Sequence, residues 1–267
     1  MKRILFEFIA LVALFFTTYF LFSRFEWVSI FKIERITKST EEKLGDVFWE
    51  FLSKTENEIH SKSIKGKLDT LVNKICTSNS IDKSSIKLHV LRKSDINAFA
   101  LPNNHLVVFS GLIENCENEE ELCGVLGHEI AHMQKNHVMK KLVKEVGLGM
   151  IITMSSGKGN PEIAKEIAKL LSSSAYDRNL EREADMTSVE YLLKAKIDPE
   201  PFANFLYRLG DENKNIPNQV YWISTHPDSK ERAENIIATL KGKLNLNESI
   251  LTDEEWANFK RKFKELN

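Results

Sequence analysis

The stretch from Asn118 to His137 constrains this chain more than any other, because it lays a metal-binding spacing over a helical hydrophobic period. Leu122, Val125, Leu126, Ile130 and Met133 recur at intervals of three and four, as on an amphipathic helix. Asn118 is placed to cap its start, and Glu119, Glu120 and Glu121 fill the first turn, where the helix dipole favours negative charge. His128 and His132 lie four apart, so both rings project from one face and can grip one cation. Glu129, one residue round from His128, flanks such a cation instead of joining as an equivalent ligand. The HEIAH string thus predicts two neutral imidazoles on zinc, with Glu129 as the base that takes a proton from the metal's water.

Zinc that activates water keeps three protein ligands and one open position, so the His pair needs a partner. A third His ten residues beyond the first, after a Gly turn, is one solution. Here those positions hold Val138 and Lys135, and the solution fails. His137, five residues past His132 on a continuous helix, rotates off the metal face and suits packing or support better than ligation. The other solution is a Glu on a later helix, followed one turn on by an Asp that fixes a ligand His through its second nitrogen. Glu181 and Asp185 supply that pattern.

The N-terminus differs in kind. Ile4 to Phe22 is apolar except for Glu7, Thr17, Thr18 and Tyr19, with Lys2 and Arg3 before it and Arg24 after. Roughly twenty residues cross a hydrocarbon core of about 30 Å. The exit contains no small-x-small cleavage site, so the segment reads as an uncleaved signal anchor, with Phe25 and Trp27 suited to the interface. Arg24, Lys32, Arg35, Lys38 and Lys43 favour an inward catalytic domain by bare charge count. A short basic head before an apolar run favours the opposite, because long domains translocate largely regardless of charge. The expectation is a single-pass membrane protein with its catalytic domain outside the cytoplasm, in a bacterial periplasm.

Between these landmarks the pattern is α+β and predominantly helical. Ile33 to about Ile64 predicts one long helix or two short ones, and Lys65–Ser78 another. Ser85–Leu91 alternates like a strand, and Ile96–Ile113 reads as strand, Pro102-Asn103-Asn104 turn, strand and helical lead-in. Such a hairpin could present an edge to an extended peptide or be ordinary core. Val146–Met154 is too short to span a bilayer and is expected to pack or line a cleft. Further helices are expected from Pro161, over Tyr176–Leu192, Pro199–Leu209 and Asp228–Leu240, and after a Thr252–Glu255 capping box. Cys76, Cys116 and Cys123 lack metal or disulfide spacing and read as core. A net charge of −1 with interspersed signs gives no reason to expect nucleic acid as a partner.

HEIAH, followed by Arg178 and Glu181-Arg-Glu-Ala-Asp185, resembles the gluzincin metallopeptidases of family forty-eight, the HtpX and CAAX-protease type. Asn97-Ala-Phe-Ala-Leu-Pro102, Gly111-Leu112, and His226-Pro227 with Arg232 extend the resemblance over roughly residues 65–240. Asp177 replaces a frequent Ser and Asn103-Asn104 a frequent Gly-rich turn; one span rather than several points to the envelope quality-control branch. The resemblance implies a zincin-like endopeptidase domain with a small hairpin or sheet beside the metal helix. Its one Zn2+ is held by His128, His132 and Glu181, with Asp185 behind a ligand and Glu129 as general base. His226 is the expected oxyanion donor, with Tyr176 or Arg232 behind it. The expected partners are protein or peptide substrates, and the membrane through the N-terminal helix. The expected organisation is an anchor over 1–27, a helical linker over 28–64, a peptidase domain over 65–245 and a tail helix over 246–267. A rival is a membrane-tethered binding or chaperone module with a vestigial metal site, against which the intact ligands and Glu129 argue. A non-peptidase zinc hydrolase is the other, against which the hairpin argues.

Overall fold

A computed structural model describes residues 7, 12, 14–17, 38–158, 160–210, 224–240 and 249–265. It divides into two units, Met1–Thr37 and Lys38–Asn267. In the first, the described residues Glu7, Val12 and 14–17 are helical, and Leu14, Phe15 and Phe16 are exposed. The rest of the expected span, with Phe25 and Trp27, lies outside the described residues, among which no helix is long and apolar enough to cross a membrane.

The second unit is mostly helical with a three-stranded sheet. Its elements are α1 (Lys38–Thr55), α2 (Lys62–Ser78), β1 (Lys87–Leu91), β2 (Ala98–Leu101), β3 (His105–Phe109), α3 (Ser110–Asn115) and α4 (Glu119–Gln134). There follow α5 (His137–Val146), α6 (Leu148–Thr153), α7 (Pro161–Ser173), α8 (Arg178–Lys194), α9 (Glu200–Leu209), α10 (Ser229–Leu240) and α11 (Asp253–Lys264). The strand order is β1-β3-β2, with β1 parallel and β2 antiparallel to β3. The hairpin turns where the sequence places it, with Asn103 and Asn104 both left-handed (φ 62° and 54°), a conformation Asn tolerates.

α4 departs from simple amphipathicity. It is buried on nearly all sides, packed against β2, α2, α8 and α9, so that even Glu119 and Glu121 of its first turn are enclosed. Asn118 caps it by accepting from the Glu121 amide at 2.9 Å. Glu121 takes a two-pronged contact from Arg208 at 2.7 Å, while Glu119 accepts from the Leu251 amide at 2.8 Å. Close approach depends on glycine at two positions. A Cβ on Gly124 would lie 2.3 Å from Phe202 of α9, and one on Gly127 2.6 Å from the Ser188 hydroxyl of α8. Gly124→Ala should therefore push α9 outward and destabilise the fold by roughly 1–3 kcal/mol, the usual cost of overpacking, read by denaturant unfolding.

The tail is part of this core. Phe259 and Phe263 of α11 are buried with α2 and α3 residues, and the Trp256 indole donates to the Glu117 carbonyl at 2.9 Å. All three cysteines are buried and free, as core residues.

On the far side of the sheet, Trp49 of α1 stacks on His89 of β1 (ring centroids 3.4 Å apart), and His89 Nε2 lies 2.9 Å from His105 Nδ1 of β3. Glu58 closes one end at 3.1 Å from His89; Lys87 and Asp46 stand at the other, 3.4 and 3.6 Å from His105. Burial holds both imidazoles down at about 4, despite those carboxylates. The unfolded chain, near 6.5, takes up these protons first, so the stabilising contribution present above pH 6.5 is lost as pH falls through about 4. The melting temperature should fall over that window, and a His89→Gln/His105→Gln variant should show a shallower fall.

Candidate metal centre

The centre sits where α4, α8 and the turn before α10 meet. His128, Glu129 and His132 come from the second half of α4, Glu181 and Asp185 from one face of α8, and His226 from the turn leading into α10. Each is at most 2% exposed. Four of them, His128, His132, Glu181 and His226, point one donor atom each into a common volume, all within 4.8 Å of one another. His132 Nε2 lies 2.9 Å from His128 Nε2 and 3.4 Å from Glu181 Oε1. His128 Nε2 is 3.6 Å from Glu181 Oε2 and 3.3 Å from His226 Nδ1. His226 Nδ1 is 3.1 Å from Glu181 Oε2.

These separations fit a tetrahedral zinc ion, whose donors at about 2.0–2.1 Å stand roughly 3.3 Å apart. The proton accounting points the same way. His128 Nδ1 faces Asp185 Oδ1 at 2.9 Å and is best assigned as the N–H donor, which leaves the Nε2 lone pair facing the cluster. His132 Nδ1 is likewise occupied, by His137, so its Nε2 lone pair also faces inward. Two lone pairs and a carboxylate converge in a dry interior, an arrangement that a cation among them stabilises. That donor set, two imidazoles and one carboxylate with a further imidazole beside them, is a zinc set.

The surrounding charges fix protonation states. Arg232, itself buried, donates to Asp185 through Nε at 2.8 Å and Nη2 at 2.7 Å, and pairs with Glu181 through Nη1 at 2.8 Å. Burial alone would raise both carboxyls, but Arg232 and the histidines outweigh it and hold Glu181 well below the ordinary range and Asp185 below it. Burial would lower His128, yet Glu181 and Asp185 raise it. Burial and His128 drive His132 down, and burial takes His226 to about 4. Glu129 is pushed up to about 7, first by burial and then by the Glu181 charge. Its oxygens have no hydrogen-bond partner of full geometry among the described residues; His226 Nε2 stands 3.4 Å from Oε1, and the Ala100 backbone is near.

The three residues predicted as ligands are thus gathered, with Asp185 on the far nitrogen of His128 and Glu129 to one side. Of the two reserve oxyanion donors named after His226, Arg232 is engaged by Asp185 and Glu181, and Tyr176 stacks on the His132 ring at 4.0 Å (22° between planes). The Arg232 role could have been found from sequence by asking which cation neutralises a buried Asp185.

A buried centre of two histidines and one carboxylate with a second glutamate beside it, on a helix next to a small sheet, defines the zinc-metallopeptidase class. The family model described as Peptidase family M48 matches residues 62–240, and the chain belongs to that family. It is similar to the Escherichia coli metalloprotease YcaL, 30% identical over 188 residues, covering 67% of this chain and 72% of that protein. It is also similar to bovine mitochondrial metalloendopeptidase OMA1 (30%, 61% of this chain and 34% of that protein). A putative beta-barrel assembly-enhancing protease of Vibrio cholerae is 26% identical, over 71% of this chain and 43% of that protein. The match thus spans less than half the length of the last two relatives.

Proposed function

We propose that this chain is a membrane-anchored zinc endopeptidase that hydrolyses peptide bonds in protein substrates, in envelope protein quality control or processing. One observation carries the reading: inward-facing His128, His132 and Glu181 converge with the Glu129 carboxylate beside them. His128, His132 and Glu181 would hold the ion. Held there, zinc would supply Lewis-acid chemistry toward a substrate carbonyl and an attacking water. Glu129, fully buried beside the three donors, accepts the attacking water's proton and hands it to the leaving amine. Asp185, backed by Arg232, keeps His128 in the binding tautomer.

His226 has two uses in this reading. Its Nδ1 lies among the other three donor atoms, where it would compete with water and substrate for an ion held there, so they would require it to step aside. Displaced, its ring N–H is the oxyanion donor. Peptide entry needs movement in any case, since the centre is enclosed. β2 is one of the two outer strands. The Phe109 amide donates to the Asn97 carbonyl, so by alternation Ala98 and Ala100 direct their backbone groups away from β3, toward an extended substrate. Residues 1–27 serve as anchor and the residues before α1 as linker, and the domain faces the periplasm.

The test is the appearance of new internal N-termini. Membranes incubated with the wild-type chain, then analysed by mass spectrometry, should yield cleavage sites absent with Glu129→Gln. Identical termini from both would remove the peptidase reading and favour a binding module.

A further inference from the structure

His132 and His128 are backed differently. Behind His128 stands a buried carboxylate neutralised by Arg232. Behind His132 stands another imidazole. His132 Nδ1 lies 3.0 Å from His137 Nδ1, and His137 Nε2 lies 3.1 Å from Glu183 Oε2. His132 and His137 are fully buried, whereas the Glu183 side chain is 44% exposed and pairs with Lys135 at 3.4 Å. The chain geometry explains how a residue off the metal face reaches this place. α4 ends at Gln134, Asn136 turns left-handed (φ 56°), and α5 begins afresh at His137, which folds back against His132.

Only one proton arrangement satisfies every link. His132 Nε2 faces the donor cluster and must keep its lone pair, so Nδ1 carries the proton and donates to His137 Nδ1. The His137 proton then sits on Nε2 and donates to the Glu183 carboxylate. We propose that His137 and Glu183 are positioning residues of the metal centre, a relay that fixes the His132 tautomer and strengthens it as a donor from a carboxylate at the protein surface. The inference rests on the zinc-peptidase reading above. Glu181 and Glu183, two apart on α8, then have separate duties: the first faces the metal volume, the second the back of a ligand.

The test is zinc affinity of the 267-residue chain in detergent, by competition with a chromophoric chelator, with circular dichroism melts alongside. His137→Leu should weaken zinc binding about 10–100-fold, the usual cost of losing an outer partner, while leaving one site per chain. His137→Asn, whose side-chain oxygen can accept from His132 Nδ1, should recover most of that loss. Glu183→Gln should weaken zinc several-fold with an unchanged melt of the metal-free chain. Wild-type zinc affinity in Glu183→Gln, or equal losses in the Leu and Asn variants, would overturn the relay. Should His137→Leu fail to fold, the exposed Glu183→Gln change decides alone. A wild-type chain that binds no zinc would instead remove the peptidase reading. Zinc binding abolished by Glu181→Ala but indifferent to His137 and Glu183 removes the relay only.

Discussion

A Glu129→Gln chain is expected to bind zinc at wild-type stoichiometry and to lose peptidase activity by about 10²–10⁴-fold, the range that general acid–base catalysis contributes. Gln is nearly isosteric, so the enclosed side chain needs no repacking. The three atoms read as metal donors belong to other residues. What disappears is a buried carboxylate that can accept and return a proton beside the three donors. Zinc content by atomic absorption and turnover on an unfolded substrate separate the two effects. Full zinc occupancy with unimpaired turnover would remove Glu129 from the mechanism.

The second large effect is structural. Arg232→Leu strands two carboxylates, Asp185 and Glu181, that are at most 2% exposed and that Arg232 holds at 2.7–2.8 Å. Removing one partner of a buried ion pair typically costs about 3–5 kcal/mol, because the remaining charge is uncompensated. Arg232→Lys should rescue only in part, since an ammonium cannot reproduce the two-pronged contact with Asp185. Zinc supplies positive charge to Glu181, so denaturant unfolding should show the larger deficit in metal-free protein. Equal stability of Arg232→Leu and wild type without metal would contradict the electrostatic account of this core.

The local elements were legible because their signals are local. Asn118, the acids after it and the three-and-four spacing announced α4; Asn103-Asn104 announced the hairpin; Thr252 and Glu255 announced the start of α11, where both halves of the capping box form. The gathering of His128, His132 and Glu181 followed from their spacing and the chemistry each could supply. Pairings set across the fold were not legible. No sequence rule places β1 parallel to β3, or Phe259 and Phe263 in the main core. His137 takes a supporting place, as its sequence position suggested, but by a route the sequence did not show. The rotation argument assumed a helix continuing past Gln134, and the left-handed turn at Asn136 broke it.

Metal dependence is the central claim, and zinc titration of the stripped 267-residue chain against casein hydrolysis tests it most directly. Turnover should be absent without metal, rise linearly with added zinc and level off at one equivalent per chain. Hydrolysis that persists in the metal-free chain, or a chain that takes up one zinc and cleaves nothing, would contradict it.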